Sequence, residues 1–89
     1  MKKYALIPQS CDRAESFYNK ATIIEYDNGE IILQSYSTEV CKITKNGDFV
    51  RMWSGYSQTT MRHINSFLQM FGIDGGGKKW WTSLEVANI

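Results

Sequence analysis

GYSQTTMRHINSFLQMFG, residues 55–72, carries the clearest pattern in the chain. Ile64, Phe67, Leu68 and Phe71 follow an i, i+3, i+4, i+7 spacing, and Met61 extends that stripe one turn earlier. Arg62, Asn65, Ser66 and Gln69 fall on the opposite side. Such spacing predicts an amphipathic helix from about Thr59 to Phe71. Gly72 stands just past its end, and Ile73 stands where a Schellman cap sets a residue against Leu68. A helix with one apolar stripe must lay it on another surface, and the preceding segment supplies one.

That surface is read from two Asn-Gly pairs. Asp27-Asn28-Gly29-Glu30 and Lys45-Asn46-Gly47-Asp48 each sit between runs of β-branched and aromatic residues, the strongest short-range signal for a hairpin. With a two-residue turn, Tyr26 faces Ile31, Ile24 faces Leu33 and Thr22 faces Ser35 on the first hairpin's better core side. In the second, Ile43 faces Val50 and Cys41 faces Met52, a wholly apolar side. Its reverse then pairs Thr44 with Phe49, Lys42 with Arg51 and Val40 with Trp53.

The ends are read more loosely. Tyr4–Ile7, stopped by Pro8, reads as an edge strand or an ordered arm. Ser10 is placed to cap a brief helix through Cys11, Ala14 and Tyr18 that Asn19 ends. After Gly75-Gly76-Gly77, the segment KKWWTSLEV reads as a short helix or turn returning Trp80 or Trp81 to the body. The expected fold is α+β: one domain across residues 1–89, with an antiparallel four-stranded β-meander. One amphipathic helix packs on one face, and short helical segments lie near both termini.

Composition bounds the function. Of 89 residues, 43% are hydrophobic and 21% charged, as in a globular domain. A net charge of +1 supplies no global field toward DNA or membrane, so such binding would need a local patch. Two cysteines, Cys11 and Cys41, are too few for a disulfide framework and read as two buried thiols in a reducing compartment. The opening MKKYALIPQS holds an apolar run too short for a signal peptide, and no stretch is long enough to span a membrane. The expectation is a cytoplasmic protein without membrane contact.

The helix start holds the first candidate site: Tyr56, Ser57, Thr59, Thr60, Arg62 and His63. Hydroxyls there cap free N–H groups. The positive helix end together with Arg62 would equally seat an anion. Nucleophilic catalysis would need a hydroxyl, His63 as base and an orienting acid, and no Asp has a spacing that brings it to His63. One His and two scattered Cys supply no metal site, so neither catalytic nor metal-binding residues are assigned and no cofactor is expected. Residues 72–79, GIDGGGKK, fit GxxxxGK, but the stretch follows a helix, and Lys79 occupies the place of the magnesium-binding hydroxyl. It reads as a helix cap and a flexible joint.

The second candidate is the reverse of the second hairpin. Lys42, Arg51, Phe49 and Trp53 interleave base and ring there, and Tyr36 joins them under one pairing of the strands. Single-stranded nucleic acid binds such surfaces. The same rings suit burial under the tail, a homodimer contact or a protein partner.

Three stretches carry a resemblance. SFYNKA (16–21), SYSTEVCKI (35–43) and GYSQTTMRHINSFLQMFGI (55–73) are similar to a group of small proteins of bacteria, phages and mobile elements, a domain of unknown function. The pattern there resembles Ser-Phe-Tyr-Gly-Lys-Ala, Ser-Tyr-x-Thr-x-Val and Tyr-Ser-x-Thr-Thr-x-x-His-Ile-x-x-Phe-Leu. Asn19 stands where that pattern has Gly. The resemblance implies a phage or mobile-element context and no particular activity. The functional expectation is a non-enzymatic accessory protein that binds a protein partner or itself. Single-stranded nucleic-acid binding through the sheet face is the alternative, and a small enzyme comes third.

Overall fold

The computed structural model describes residues 1–87. Five strands run β1 (Lys2–Ala5), β2 (Ala21–Glu25), β3 (Ile31–Ser35), β4 (Thr38–Ile43) and β5 (Phe49–Arg51), followed by helices α1 (Gln58–Phe71) and α2 (Lys78–Ser83). The strands form one antiparallel sheet in sequence order, so the meander has five strands rather than the expected four. The added strand is the N-terminal run, paired as an edge from Lys2↔Glu25 to Ala5↔Thr22.

Both hairpins differ from expectation by one residue. The observed pairs are Ile24↔Ile32 and Ile23↔Leu33 in the first, and Ile43↔Phe49, Lys42↔Val50 and Cys41↔Arg51 in the second. The cause lies in the turns. Tyr26 N–H donates to Glu30 C=O at 2.9 Å and Thr44 N–H to Asp48 C=O at 2.8 Å, closing three-residue loops. Only Gly29 (φ 94°) and Gly47 (φ 90°) take positive φ there, and Asn28 and Asn46 do not. A two-residue type I′ turn needs positive φ at both central positions, whereas a type I turn followed by a left-handed Gly needs it at one. In the first loop, Asn28 Oδ1 also accepts from Glu30 N–H at 3.0 Å. A one-residue slip turns every side chain of one strand to the other face.

The core therefore differs in membership. Ala21 and Ile23, not Thr22 and Ile24, join Leu33, Cys41 and Ile43 beneath Met61, Ile64, Phe67 and Leu68 of α1. Between Leu33 and Gln34 the β3–β4 register shifts, leaving Val40 as an extra residue on β4. Val40 and Cys41 are both buried as a result, and the Val40 carbonyl accepts from Met52 N–H (2.9 Å) and Trp53 N–H (3.2 Å). On the sheet's reverse, Ile24 and Ile32 are buried between Lys3 and Lys42 in register, whose stems give apolar cover. Lys42 is fixed to Glu30 at 2.9 Å.

The helix ends match their reading. Ser57 is the N-cap, its Oγ accepting from Thr60 N–H at 3.1 Å. Gly72 (φ 68°) closes a Schellman motif, with Ile73 N–H to Leu68 C=O at 2.9 Å and Gly72 N–H to Gln69 C=O at 3.3 Å. The expected helix at 10–19 does not form. Its backbone donors are taken by side chains: Cys11 N–H by Gln69 Oε1, Ala14 N–H by Asp12 Oδ1 and Tyr18 N–H by Ser16 Oγ, each at 2.9 Å. Such local bonds compete with the helical ladder. Cys11 is exposed, so only Cys41 is a buried thiol, its pKa pushed upward by burial.

The tail closes the fold at Arg51. Slipped onto the core face, Arg51 is 7% exposed, and its guanidinium donates to five main-chain carbonyls: Trp53 (2.9 Å), Trp81 (2.9 Å), Leu84 (3.1 Å), Ser54 (2.9 Å) and Gly55 (3.4 Å). The Trp81 ring lies 4.6 Å from the guanidinium carbon, and its Nε1–H donates to Gly55 C=O at 2.8 Å. Trp80 covers Phe49 at 5.3 Å and lies so close over Gly75 that a Cβ there would stand 2.4 Å from the indole. No helix among the described residues is long and apolar enough to cross a membrane.

Replacing Arg51 by Met keeps the stem but removes all five bonds; the carbonyls of Trp81 and Gly55 keep a second donor, and those of Trp53 and Leu84 are left part-buried without one among the described residues. It should cost about 2–4 kcal/mol in urea unfolding followed by Trp fluorescence. A loss within ~0.5 kcal/mol of zero, the range of ordinary surface changes, would show that the cage is not holding the tail.

Candidate functional site

The structure separates the residues expected to form a basic, aromatic sheet face. Lys42 alone remains on the reverse of the sheet. Arg51 and Phe49 turn to the core side, where the tail covers both. Trp53 packs against the core, and Tyr36 lies in the β3–β4 turn at the sheet's other end. The one-residue slip is the physical reason, since it moves Arg51 and Phe49 away from Lys42.

The helix-start residues divide. Ser57 is spent on capping. Tyr56 belongs to the tail side, with Lys78 Nζ 5.2 Å from its ring centre. Thr59, Arg62 and His63 instead line a cleft of about 230 Å³ with Phe17, Tyr18, Lys20 and Tyr36. This cleft lies where the 16–20 segment, the β3–β4 turn and the first turns of α1 meet. The three stretches that carry the family resemblance thus converge in space, although they are distant in sequence.

A buried polar relay forms its floor. His63 is 1% exposed; its Nδ1 lies 2.8 Å from Ser35 Oγ, which lies 3.0 Å from Thr60 Oγ1. Thr60 Oγ1 has no other partner among the described residues, so its proton goes to Ser35, and Ser35 donates to Nδ1. Any other orientation leaves a buried hydroxyl proton without an acceptor. The imidazole is then the neutral Nε2–H tautomer. Nε2 has no partner among the described residues, yet it is not a sealed unsatisfied atom, so it opens on the cleft. Phe17 packs edge-on to the ring at 4.6 Å between centres, and Tyr36 lies at 5.9 Å.

Charge supports the same state. Burial holds the His63 pKa below its ordinary value; the Arg62 and Lys20 charges push the same way, while Asp12 opposes them. Asp12 itself is engaged by Arg62 through two bonds of 2.9 Å, and that pairing holds its pKa down at about 2. No spacing along the chain joins an acid to this helix. The connection comes from the 9–20 segment folding across α1, with Gln9 N–H bonded to Ser66 Oγ and Cys11 N–H to Gln69.

The walls are unusual. Tyr18 (φ 53°) and Tyr36 (φ 56°) hold left-handed backbone, and their side chains are 77% and 51% exposed. Bulky side chains avoid that conformation, and the strain costs on the order of 1–3 kcal/mol per residue. Lys20 Nζ lies 5.9 Å from the Tyr36 ring centre. Lys20, Phe17, Tyr18 and Ser35 were not singled out as site residues from the sequence. Their only signal was membership in the SFYNKA and SYSTEV stretches. Among the described residues, no group of three or more His, Cys, Asp and Glu could hold a metal ion.

A family model matches residues 5–83, and this stretch includes every residue of the cleft. The chain belongs to a family of unknown function, DUF8033. No curated protein and no solved structure matches it.

The neutral relay has a pH signature. A histidine whose folded pKa lies below its unfolded value near 6.5 gives full stability above that value. The contribution is lost as pH falls through 6.5 toward the folded pKa. The unfolding midpoint should therefore drop across this window in the parent and stay level in His63→Gln, with acid loss from Asp12 confined to lower pH. Equal slopes in both proteins would show that His63 is not held neutral. Ser35→Ala removes the central hydroxyl and should cost about 1–3 kcal/mol.

Proposed function

We propose that this DUF8033 protein acts by binding a protein partner, without catalysis, through the cleft between Tyr18 and Tyr36. The observation that carries this reading is the pair of exposed tyrosines, held in strained backbone, that line one concavity. Strain that packing does not reward is retained where a side chain must be presented in a set direction. Rigid tyrosines beside an arginine are the residue types that dominate binding energy at protein interfaces. An accessory role in a phage or mobile element fits a small domain whose chemistry is confined to recognition.

The Ser35–His63 pair supports binding over catalysis. Ser35 Oγ is hydrogen-bonded to the imidazole, as a nucleophile would be, but Ser35 is 2% exposed and does not line the cleft. A nucleophile must reach the substrate carbon, and this hydroxyl is spent inside the fold. Dispersal of the basic and aromatic sheet residues removes the main support for a single-strand binding face. A mutant pair tests the reading. Tyr18→Asn and Tyr36→Asn place a residue that tolerates left-handed backbone at each position. The double variant should unfold at equal or higher urea concentration than the parent, yet lose the partner that the parent retains when isolated from its host cells. Loss of stability with binding preserved would make the tyrosines structural and end the proposal.

A further inference from the structure

The cleft has donors and no acid. Its polar lining is Lys20, Arg62 and His63 with the hydroxyls of Ser16, Tyr18, Tyr36 and Thr59, and includes neither Asp nor Glu. Lys20 has no carboxylate partner among the described residues. Asp12 occupies Nε and Nη2 of Arg62, which leaves Nη1 unpaired among the described residues. His63, almost wholly buried, turns an unpartnered Nε2–H into the same space. Lys20, Arg62 and His63 each offer a donor, so the complementary ligand accepts; Asp12 balances the Arg62 charge, and the remaining Lys20 charge favours a ligand that is anionic.

Size and placement choose among anions. At about 230 Å³ the cleft falls below the roughly 300–1,000 Å³ range of sites for free small molecules and cofactors. It suits one group presented by a larger partner. A nucleic-acid strand would need a row of further cations along its path; Arg13, next to the lining residue Ala14, is one, but Lys2, Lys3 and Lys45 lie toward the opposite end of the sheet, Lys2 opposite Glu25 in the β1–β2 register and Lys45 in the β4–β5 turn. Arg51 is buried under the tail.

We propose that the cleft receives a single carboxylate from an acidic segment of a protein partner, gripped by Lys20, Arg62 Nη1 and His63 Nε2–H between the rings of Tyr18 and Tyr36. This inference rests on the cleft being the binding face and adds the chemistry that the face reads. The two oxygens of a carboxylate have lone pairs enough for three donors, and charge-assisted bonds of this kind are about twice as strong as neutral ones.

The test is a nitrogen-15 NMR titration of the full chain with three probes: a capped peptide Gly-Glu-Phe-Glu-Gly, its Gln isostere, and an oligothymidylate. The acidic peptide should shift the His63 ring nitrogens and the Tyr18, Lys20 and Tyr36 amides, and bind roughly tenfold more tightly than the Gln peptide. Lys20→Gln, a change at an exposed position, should erase that preference without altering the unfolding midpoint. Equal binding of both peptides at the cleft would overturn the carboxylate assignment while leaving the cleft a binding face. Tighter binding of the oligothymidylate would transfer the site to phosphate. Silence of the cleft resonances with every probe would overturn both this inference and the reading beneath it.

Discussion

A buried guanidinium with no carboxylate partner among the described residues organises this small fold. Arg51 sits on the core side of the shortest strand and gives its protons to five backbone carbonyls drawn from two separate segments. Those segments are the 53–55 link into α1 and the 81–84 end of α2. Neither has sheet partners for these carbonyls, and an unsatisfied buried carbonyl is costly. A planar fork with five N–H donors can serve them together, and an ammonium cannot. The stack of Trp81 on the guanidinium adds a face that excludes water. Sheet, long helix and tail are thus joined through one side chain that charge statistics would place at the surface.

Much of this was legible in the sequence, at the level of elements. The stripe from Met61 to Phe71, the serine cap, the glycine cap and the two Asn-Gly hairpins are local signals, each with a local physical cause. Register was not legible. Asn-Gly serves both two- and three-residue loops, and the choice depends on whether Asn takes positive φ. That single backbone angle decided whether Arg51 faced solvent beside Lys42 or the core beside Cys41. The N-terminal segment misled for a related reason. Cys11, Ala14 and Tyr18 have helical spacing, but Asp12, Ser16 and the α1 side chain Gln69 offered its backbone other partners.

The cleft was legible in part. His63, Arg62 and Thr59 were visible as unusual company at a helix start, yet Ser57 alone does the capping, and the remainder face a different element. Their partners come from residues 12–20 and from the β3–β4 turn, contacts that no spacing rule reaches. One of the strained positions had a neighbour with a signal: Asn19, which stands where the similar pattern has Gly, takes left-handed backbone at φ 63°, and Tyr18 beside it shares that conformation. Propensity argues against an aromatic there, so the sequence offered no reason to look.

The strand order has a consequence for how the chain assembles. Each strand pairs with its immediate successor, and the turns that join β2, β3, β4 and β5 are short, whereas residues 6–20 separate β1 from β2. Contacts among β2–β5 are therefore local along the chain, which lowers the loop-closure entropy paid before pairing begins. The exceptions are the pairing of β1 with β2 and the bonds that tie residues 9–11 to α1 and residues 81–87 to Arg51. These last two sets of bonds span long stretches of chain, and both depend on a sheet and helix already in place. The topology implies a folding order in which the meander and α1 meet first. The N-terminal strap that walls the cleft and the tryptophan-bearing tail then dock last, so the recognition surface is completed only on a finished scaffold.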